Sequence, residues 1–432
     1  MKYYSTKKTV PSVDLQYAVT KGLAGDNGLF MPERIETFDP SFFKTIDKLS
    51  FQEISFEVAK KFFGEDVEEK KLRDLVFDTL NFDCPVVPVQ KSISSLELFH
   101  GPTLAFKDVG ARFMARLLQY FLGESDQLVN VLVATSGDTG SAVANGFLGV
   151  KGIHVYVLYP KGKVSDIQES QFTTLGQNVT AIEIDGVFDD CQRLVKTAFL
   201  DKELNKQMVL TSANSINVAR FLPQAFYYFN AYARNPYKEK KLVISVPSGN
   251  FGNLTAGLFA KRMGLPVDKF VAANNENDIV FNYLKTGEYK PAPSVQTIAN
   301  AMDVGDPSNF VRILDLYNHS HKAIAGDVVG YRYSDEQIRV AIKRVYDECG
   351  YLLDPHGACG YLSLEEYLSD DQTGIFLETA HPAKFTETVE GIVGKGNVPL
   401  PEKLAEFMKG KKLSVALDKE YKSFNDFLRS KI

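Results

Sequence analysis

Cysteine is scarce in this chain: Cys84, Cys191, Cys349 and Cys359 are all it has, and no two form a C-x-x-C pair. That spacing excludes a disulfide framework and a cysteine-built zinc site, and it fits a reducing compartment. A dominant charge is lacking as well. The net charge is −5, and the densest basic run, residues 409–412, reads as a solvated face. No nucleic-acid or membrane partner is therefore expected. No apolar run approaches transmembrane length, and the opening M-K-Y-Y-S-T-K-K-T-V has no apolar stretch of the signal-peptide kind. The cytoplasm is the expected location. Missing too are an internal repeat, a P-loop G-K-[ST], a G-x-G-x-x-G fingerprint and a G-x-S-x-G elbow.

What is present is the balance of a soluble globular protein, 44% hydrophobic and 24% charged over 432 residues, enough for two or three domains. Residues 1–90 read as a mixed, largely helical segment, with helical periodicity around 53–63 and 66–80. Prolines at 85 and 88 mark a boundary near 85–95. Beyond it, strand and helix patterns alternate. The apolar run at 128–134 predicts a strand buried on both faces, and 153–159 and 242–246 read as further strands. Further strands are expected at 179–184, 208–212, 270–275 and 375–380. Helices are expected at 165–175, 217–234, 252–263 and 334–350, and a C-terminal helical segment over 386–432. The fold class is α/β with open parallel sheets and helices on both faces. In such sheets ligands collect at the carboxyl ends of strands.

Three stretches carry the chemistry. L-F-H-G-P-T-L-A-F-K-D-V-G-A-R-F (98–113) sets Lys107 in an apolar turn just before a helix. Desolvation there would free its amine for a Schiff base. V-A-T-S-G-D-T-G-S-A (133–142) and V-P-S-G-N-F-G-N (246–253) are Gly-rich strand-to-helix turns. Each offers backbone N–H groups at a helix N-terminus, and Thr135, Ser136 and Thr139 add hydroxyls to the first. Either turn alone would serve for packing. Together with a reactive lysine they suit a phosphate-bearing aldehyde cofactor and an anionic substrate. His100 and His381 have no metal-like partner at i+3 or i+4, and His356 has only Cys359 at i+3; all three read as structural hydrogen-bonders.

H-G-P-T-L-A-F-K-D (100–108), A-T-S-G-D-T-G-S-A (134–142), S-A-N-S-I-N-V-A-R (212–220), V-P-S-G-N-F-G-N (246–253) and T-A-H-P-A-K-F (379–385), with the opening at 14–32, together resemble the threonine synthase family. Six motifs in the expected order cover nearly the whole chain. The resemblance implies pyridoxal 5'-phosphate on the fold of the tryptophan synthase β subunit, with two open parallel-sheet domains. It implies a catalytic core over 91–385, within which about 108–220 forms a small mobile domain. The implied reaction turns O-phospho-L-homoserine and water into L-threonine and phosphate.

By that resemblance Lys107 is the Schiff-base lysine and proton shuttle. Ser248, Gly249, Asn250, Phe251, Gly252 and Asn253 hold the cofactor phosphate. Thr379 lies near the pyridine nitrogen, with Glu378 a competitor for that place because side chains alternate along a strand. Thr135, Ser136, Gly137, Asp138 and Thr139 cradle the substrate carboxylate. Asn214, Ser215, Asn217 and Arg220 hold the substrate phosphate, with Lys384 and Arg112 weaker candidates. The family includes monomers and homodimers. A threonine or serine dehydratase, or a β-replacement enzyme acting on phosphoserine, shares the lysine and the glycine loops and stays open as an alternative.

Overall fold

The computed structural model describes residues 1–123 and 128–432. Contacts divide the chain into two units. One comprises residues 1, 31–106 and 221–399; the other comprises residues 2–30, 107–220 and 400–432. The chain therefore leaves the first unit between Phe106 and Lys107 and re-enters it between Arg220 and Phe221.

The first unit is built on a six-stranded sheet. Its order is Val328–Arg332, Lys269–Asn274, Lys241–Pro247, Gln372–Glu378, Ile93–Glu97 and Val86–Gln90. All neighbours run parallel except the last pair. The sequence reading missed this outer hairpin because its prolines look like a linker. Pro88 is tolerated on an edge strand, next to a break in register, where no ladder N–H is needed. Helices form where their ends are specified. Phe51–Phe63 begins at a Ser50/Glu53 capping box, and Asp335–Cys349 runs from a Ser334/Gln337 box to left-handed Gly350. The single helix expected over 217–234 is instead Val218–Phe221, a 3-10 turn at Leu222–Gln224 and Ala225–Ala233. Pro223 has no N–H to donate, so the α-helical ladder cannot run through it.

The second unit holds a five-stranded, wholly parallel sheet in the order Ser414–Asp418, Val179–Asp185, Ile153–Pro160, Val129–Ala134 and Val209–Ser212. The C-terminal segment, expected to be helical, contributes its edge strand Ser414–Asp418, which is half exposed and too short to stand out by pattern. Helices Lys107–Leu122 and Asp138–Phe147 pack closely because Gly146 leaves room: a Cβ there would lie 3.0 Å from the carbonyl carbon of Ala111.

Both sheets reverse direction once. In the first, the chain moves outward from Lys241–Pro247 through Lys269–Asn274 and Val328–Arg332, then returns to Gln372–Glu378 on the other side. In the second, Val129–Ala134 leads outward through Ile153–Pro160 and Val179–Asp185, and Val209–Ser212 returns beside it. Strand ends at such a reversal open a crevice. Segments 248–253 and 379–385 follow the two strands at the first reversal, and 135–139 and 213–220 follow the two at the second.

Candidate active site

In the first unit, the turn after Lys241–Pro247 is held by its own side chains. Ser248 Oγ donates to Asn253 Oδ1 at 2.6 Å, and Asn253 Nδ2 donates to Pro247 O at 2.9 Å. Tyr228 OH donates to Asn253 O at 2.7 Å. Phe251 adopts φ 59°, ψ 16°, a strained conformation for a large side chain, and helix Gly252–Arg262 starts directly after it. That helix has no side-chain cap and no acid in its first turn. Gly249 is pressed against the neighbouring segment: a Cβ would meet Ala301 O at 2.5 Å and Met302 Cα at 3.0 Å. Asn250 is exposed, its Oδ1 accepting from Ser308 Oγ at 3.0 Å. An uncapped helix N-terminus behind a turn this tight suits a phosphate.

Thr379 is buried, and its carbonyl accepts the Phe106 N–H at 2.8 Å. Ala105 bridges Ala380, His381 N donates to Leu104 O at 3.0 Å, and Lys384 Nζ donates to Thr103 O at 2.8 Å. Leu104 takes φ 57° within this seam. The segment leading to Lys107 is thus fixed to the segment after Gln372–Glu378.

Glu378, the competitor of Thr379, is otherwise engaged. Its carboxyl is fully buried, and Oε1 accepts the Asp354 N–H at 2.5 Å. It sits over Gly357, where a Cβ would come 1.6 Å from Oε2. Burial, with Asp354 and Glu97 nearby, raises its pKa well above the ordinary value. Glu97 is its register partner, bonded to His100 Nε2 at 2.8 Å and to Tyr351 OH at 3.0 Å. His381 is pushed down to about 4 by burial and by His100, so it is neutral at pH 7. The sequence reading did not assemble this polar cluster, and only the adjacency of Glu378 to Thr379 hinted at it.

A pH effect follows. Glu378 binds its proton more tightly in the folded than in the unfolded chain. Its contribution is therefore fully present below about pH 4.5 and is lost as pH rises toward the raised folded value. Glu378→Gln mimics the protonated acid. The stability of the wild type relative to this variant should fall by at most about 1.4 kcal/mol per pH unit above that point. Urea unfolding of both proteins from pH 4.5 to 8 checks this; parallel curves would contradict it.

In the second unit, Thr135 turns its hydroxyl into the loop rather than outward. Its Oγ1 accepts from Gly137 N at 2.9 Å and Gly140 N at 2.8 Å, and donates to Gly137 O at 3.1 Å. That engages the group fully within the loop, so Thr135 braces the turn. Gly137 has φ 145°, open only to glycine, and the Gln168 amide lies where its Cβ would be. Gln168 Nε2 also donates to Asp138 Oδ1 at 2.9 Å. Ser136 is exposed and Thr139 partly so.

Asn217 is likewise scaffold. It is fully buried, with Nδ2 donating to Val19 O at 2.8 Å and Ser212 O at 3.2 Å, and Oδ1 accepting from Ala219 N at 3.0 Å. Both its N–H donors are engaged. Asn214 and Ser215 are partly exposed. Arg220 is buried and donates from Nη1 to Ala213 O. Burial pulls its pKa down to about 10, partly offset by Asp108, and it stays charged at pH 7. Gly110 lets the first turn of Lys107–Leu122 touch this residue: a Cβ there would lie 2.4 Å from Arg220 O. Lys107 itself is partly buried at the start of that helix.

Residues 95–377 match the family of pyridoxal-phosphate-dependent enzymes, the class that these sheets and strand-end loops define. Residues 2–80 match the threonine synthase N terminus and residues 357–428 the threonine synthase C-terminal model. Threonine synthase from Escherichia coli is 45% identical over 407 residues, 94% of each chain, and its crystal structure aligns over the full length of both chains with a TM-score of 0.93. The pyridoxal-phosphate-bound structure of threonine synthase from Brucella melitensis gives a TM-score of 0.94 at 34% identity, covering 100% of this chain and 99% of that one. Threonine synthase from Saccharomyces cerevisiae is 38% identical, covering 90% of this chain and 88% of its own. The chain belongs to the threonine synthase family of pyridoxal-phosphate lyases. Among the described residues no helix is long and apolar enough to cross a membrane, and no side-chain cluster has the makings of a metal site.

Proposed function

We propose that the chain converts O-phospho-L-homoserine and water into L-threonine and phosphate, the last step of threonine biosynthesis. The observation that carries this reading is the pair of glycine-tight turns, each at a sheet reversal, within a chain that resembles threonine synthases along its length. In the proposed division of labour, Ser248, Gly249, Asn250, Phe251, Gly252 and Asn253 hold the cofactor phosphate, and Thr379 adjoins the ring nitrogen. A neutral hydroxyl there would favour an unprotonated ring nitrogen. Lys107 would hold the aldehyde carbon. Support for grouping these residues is covalent and local: Lys107 is one peptide bond from Phe106, whose N–H is fixed to Thr379 O.

When bound, the cofactor supplies an electron sink. The chain supplies binding and proton transfer. Lys107 Nζ takes the proton from substrate Cα and returns one to the same atom; the same mobile amine serves at Cβ. The turn with Ser136, Gly137, Asp138 and Thr139 receives the substrate carboxylate through backbone N–H groups, with Thr135 bracing it. Arg220, with Asn214 and Ser215, receives the substrate phosphate, and a guanidinium suits that dianion geometrically. Asn217 supports this group from behind. Donors arranged before reaction stabilise the phosphate as it departs from Cγ. The proposed setting is the cytoplasm, as a monomer or a homodimer.

Incubating the pure protein with pyridoxal phosphate and O-phospho-L-homoserine should release threonine and phosphate in equal amounts. Ammonia released from threonine or serine, with no phosphate turnover, would replace this reading with a dehydratase.

A further inference from the structure

His356 is not used by the chemistry above, yet it is 2% exposed and fully bonded. Its Nδ1 meets Asp354 Oδ1 at 2.5 Å, and its Nε2 faces the Ala301 N–H at 3.1 Å. The second contact requires Nε2 to be an acceptor, so the proton sits on Nδ1 and Asp354 receives it. Asp354 is itself fixed: it caps helix Pro355–Tyr367, accepting from His356 N at 2.7 Å, and its own N–H is bonded to Glu378. The Phe385 ring packs at 5.0 Å from the imidazole. Every degree of freedom of the imidazole is taken.

What His356 holds is the residue on which the phosphate turn rests. Ala301 belongs to the short 3-10 turn Asn300–Met302. Its N–H goes to His356, and its carbonyl oxygen lies 2.5 Å from the place a Gly249 Cβ would occupy. One peptide thus touches the imidazole on one side and the phosphate turn on the other. We propose that His356, oriented by Asp354, is a positioning residue that fixes the 300–302 backbone against Gly249 and so sets the shape of the turn for the cofactor phosphate. This rests on the assignment of residues 248–253 to that phosphate.

The test compares two ligands, pyridoxal phosphate and pyridoxal, titrated by absorbance into cofactor-free protein. Only the first uses the phosphate turn. In the wild type the phosphate should strengthen binding strongly; equal affinities would overturn the turn's assignment and the inference with it. In His356→Leu, which cannot accept the Ala301 N–H, Kd for pyridoxal phosphate should rise about tenfold, the scale of one buried hydrogen bond. Kd for pyridoxal should stay the same, which also shows that the variant is folded. His356→Gln restores an acceptor and should lie within about threefold of wild type. Unchanged pyridoxal phosphate affinity in His356→Leu, or equal weakening of both ligands, would overturn the inference while leaving the turn's assignment standing.

Discussion

Lys107→Ala is expected to lower threonine formation by about 10³- to 10⁴-fold or more and to remove the visible absorbance of lysine-linked cofactor. The size follows from the two tasks given to one amine. As general base and acid it contributes about 10²–10⁴-fold, and loss of the covalent link adds to this. The rest of the chain should be little changed. Lys107 is the first residue of its helix, and alanine is a better helix former. The seam before it, Leu104 to His381 and Phe106 to Thr379, is made by backbone groups and survives the substitution. The variant should therefore keep the wild-type free energy of unfolding within about 1 kcal/mol. It should still bind pyridoxal phosphate without the covalent bond, since residues 248–253 are intact. Steady-state rates and a spectrum decide it: turnover within tenfold of wild type, with no added amine, would remove Lys107 from the chemistry.

Gly249→Ala is the second large effect. The added Cβ would overlap Ala301 O and sit 3.0 Å from Met302 Cα. Neither neighbour gives way easily. Ala301 is a backbone group bonded to His356, and Met302 N is bonded to Ala299 O at 3.0 Å. The turn must therefore shift, and Asn250, tied to Ser308 and Asn309, shifts with it. Overpacking of this kind costs about 1–3 kcal/mol, so the Kd for pyridoxal phosphate should rise about ten- to a hundredfold. The turnover number at saturating cofactor should change much less than that affinity. Wild-type affinity in this variant would show that the turn does not rest on residues 301–302 when cofactor binds.

Sequence and structure agree where pattern and position coincide. The apolar runs at Val129–Ala134 and Lys241–Pro247 announce buried parallel strands, and the glycine turns after them announce strand ends. Which turn lies at a reversal depends on strand order, and strand order is a property of the assembled sheet. The Val86–Gln90 strand was hidden because a proline on an edge obeys a different rule from a proline in a ladder. Hydroxyls and amides were the least legible. Thr135 and Asn217 carry the right groups for binding a ligand, yet local backbone geometry commits them to the turn and to Val19 and Ser212. The Glu97, Asp354, His356 and Glu378 cluster draws on distant parts of the chain, so no spacing rule reveals it.

Borohydride reduction of the pyridoxal-phosphate-loaded protein, followed by peptide mass mapping, shows which lysine carries the cofactor. One pyridoxyl-modified peptide is expected, with the modification on Lys107. A label on Lys384 or any other lysine, with Lys107 unmodified, would contradict it.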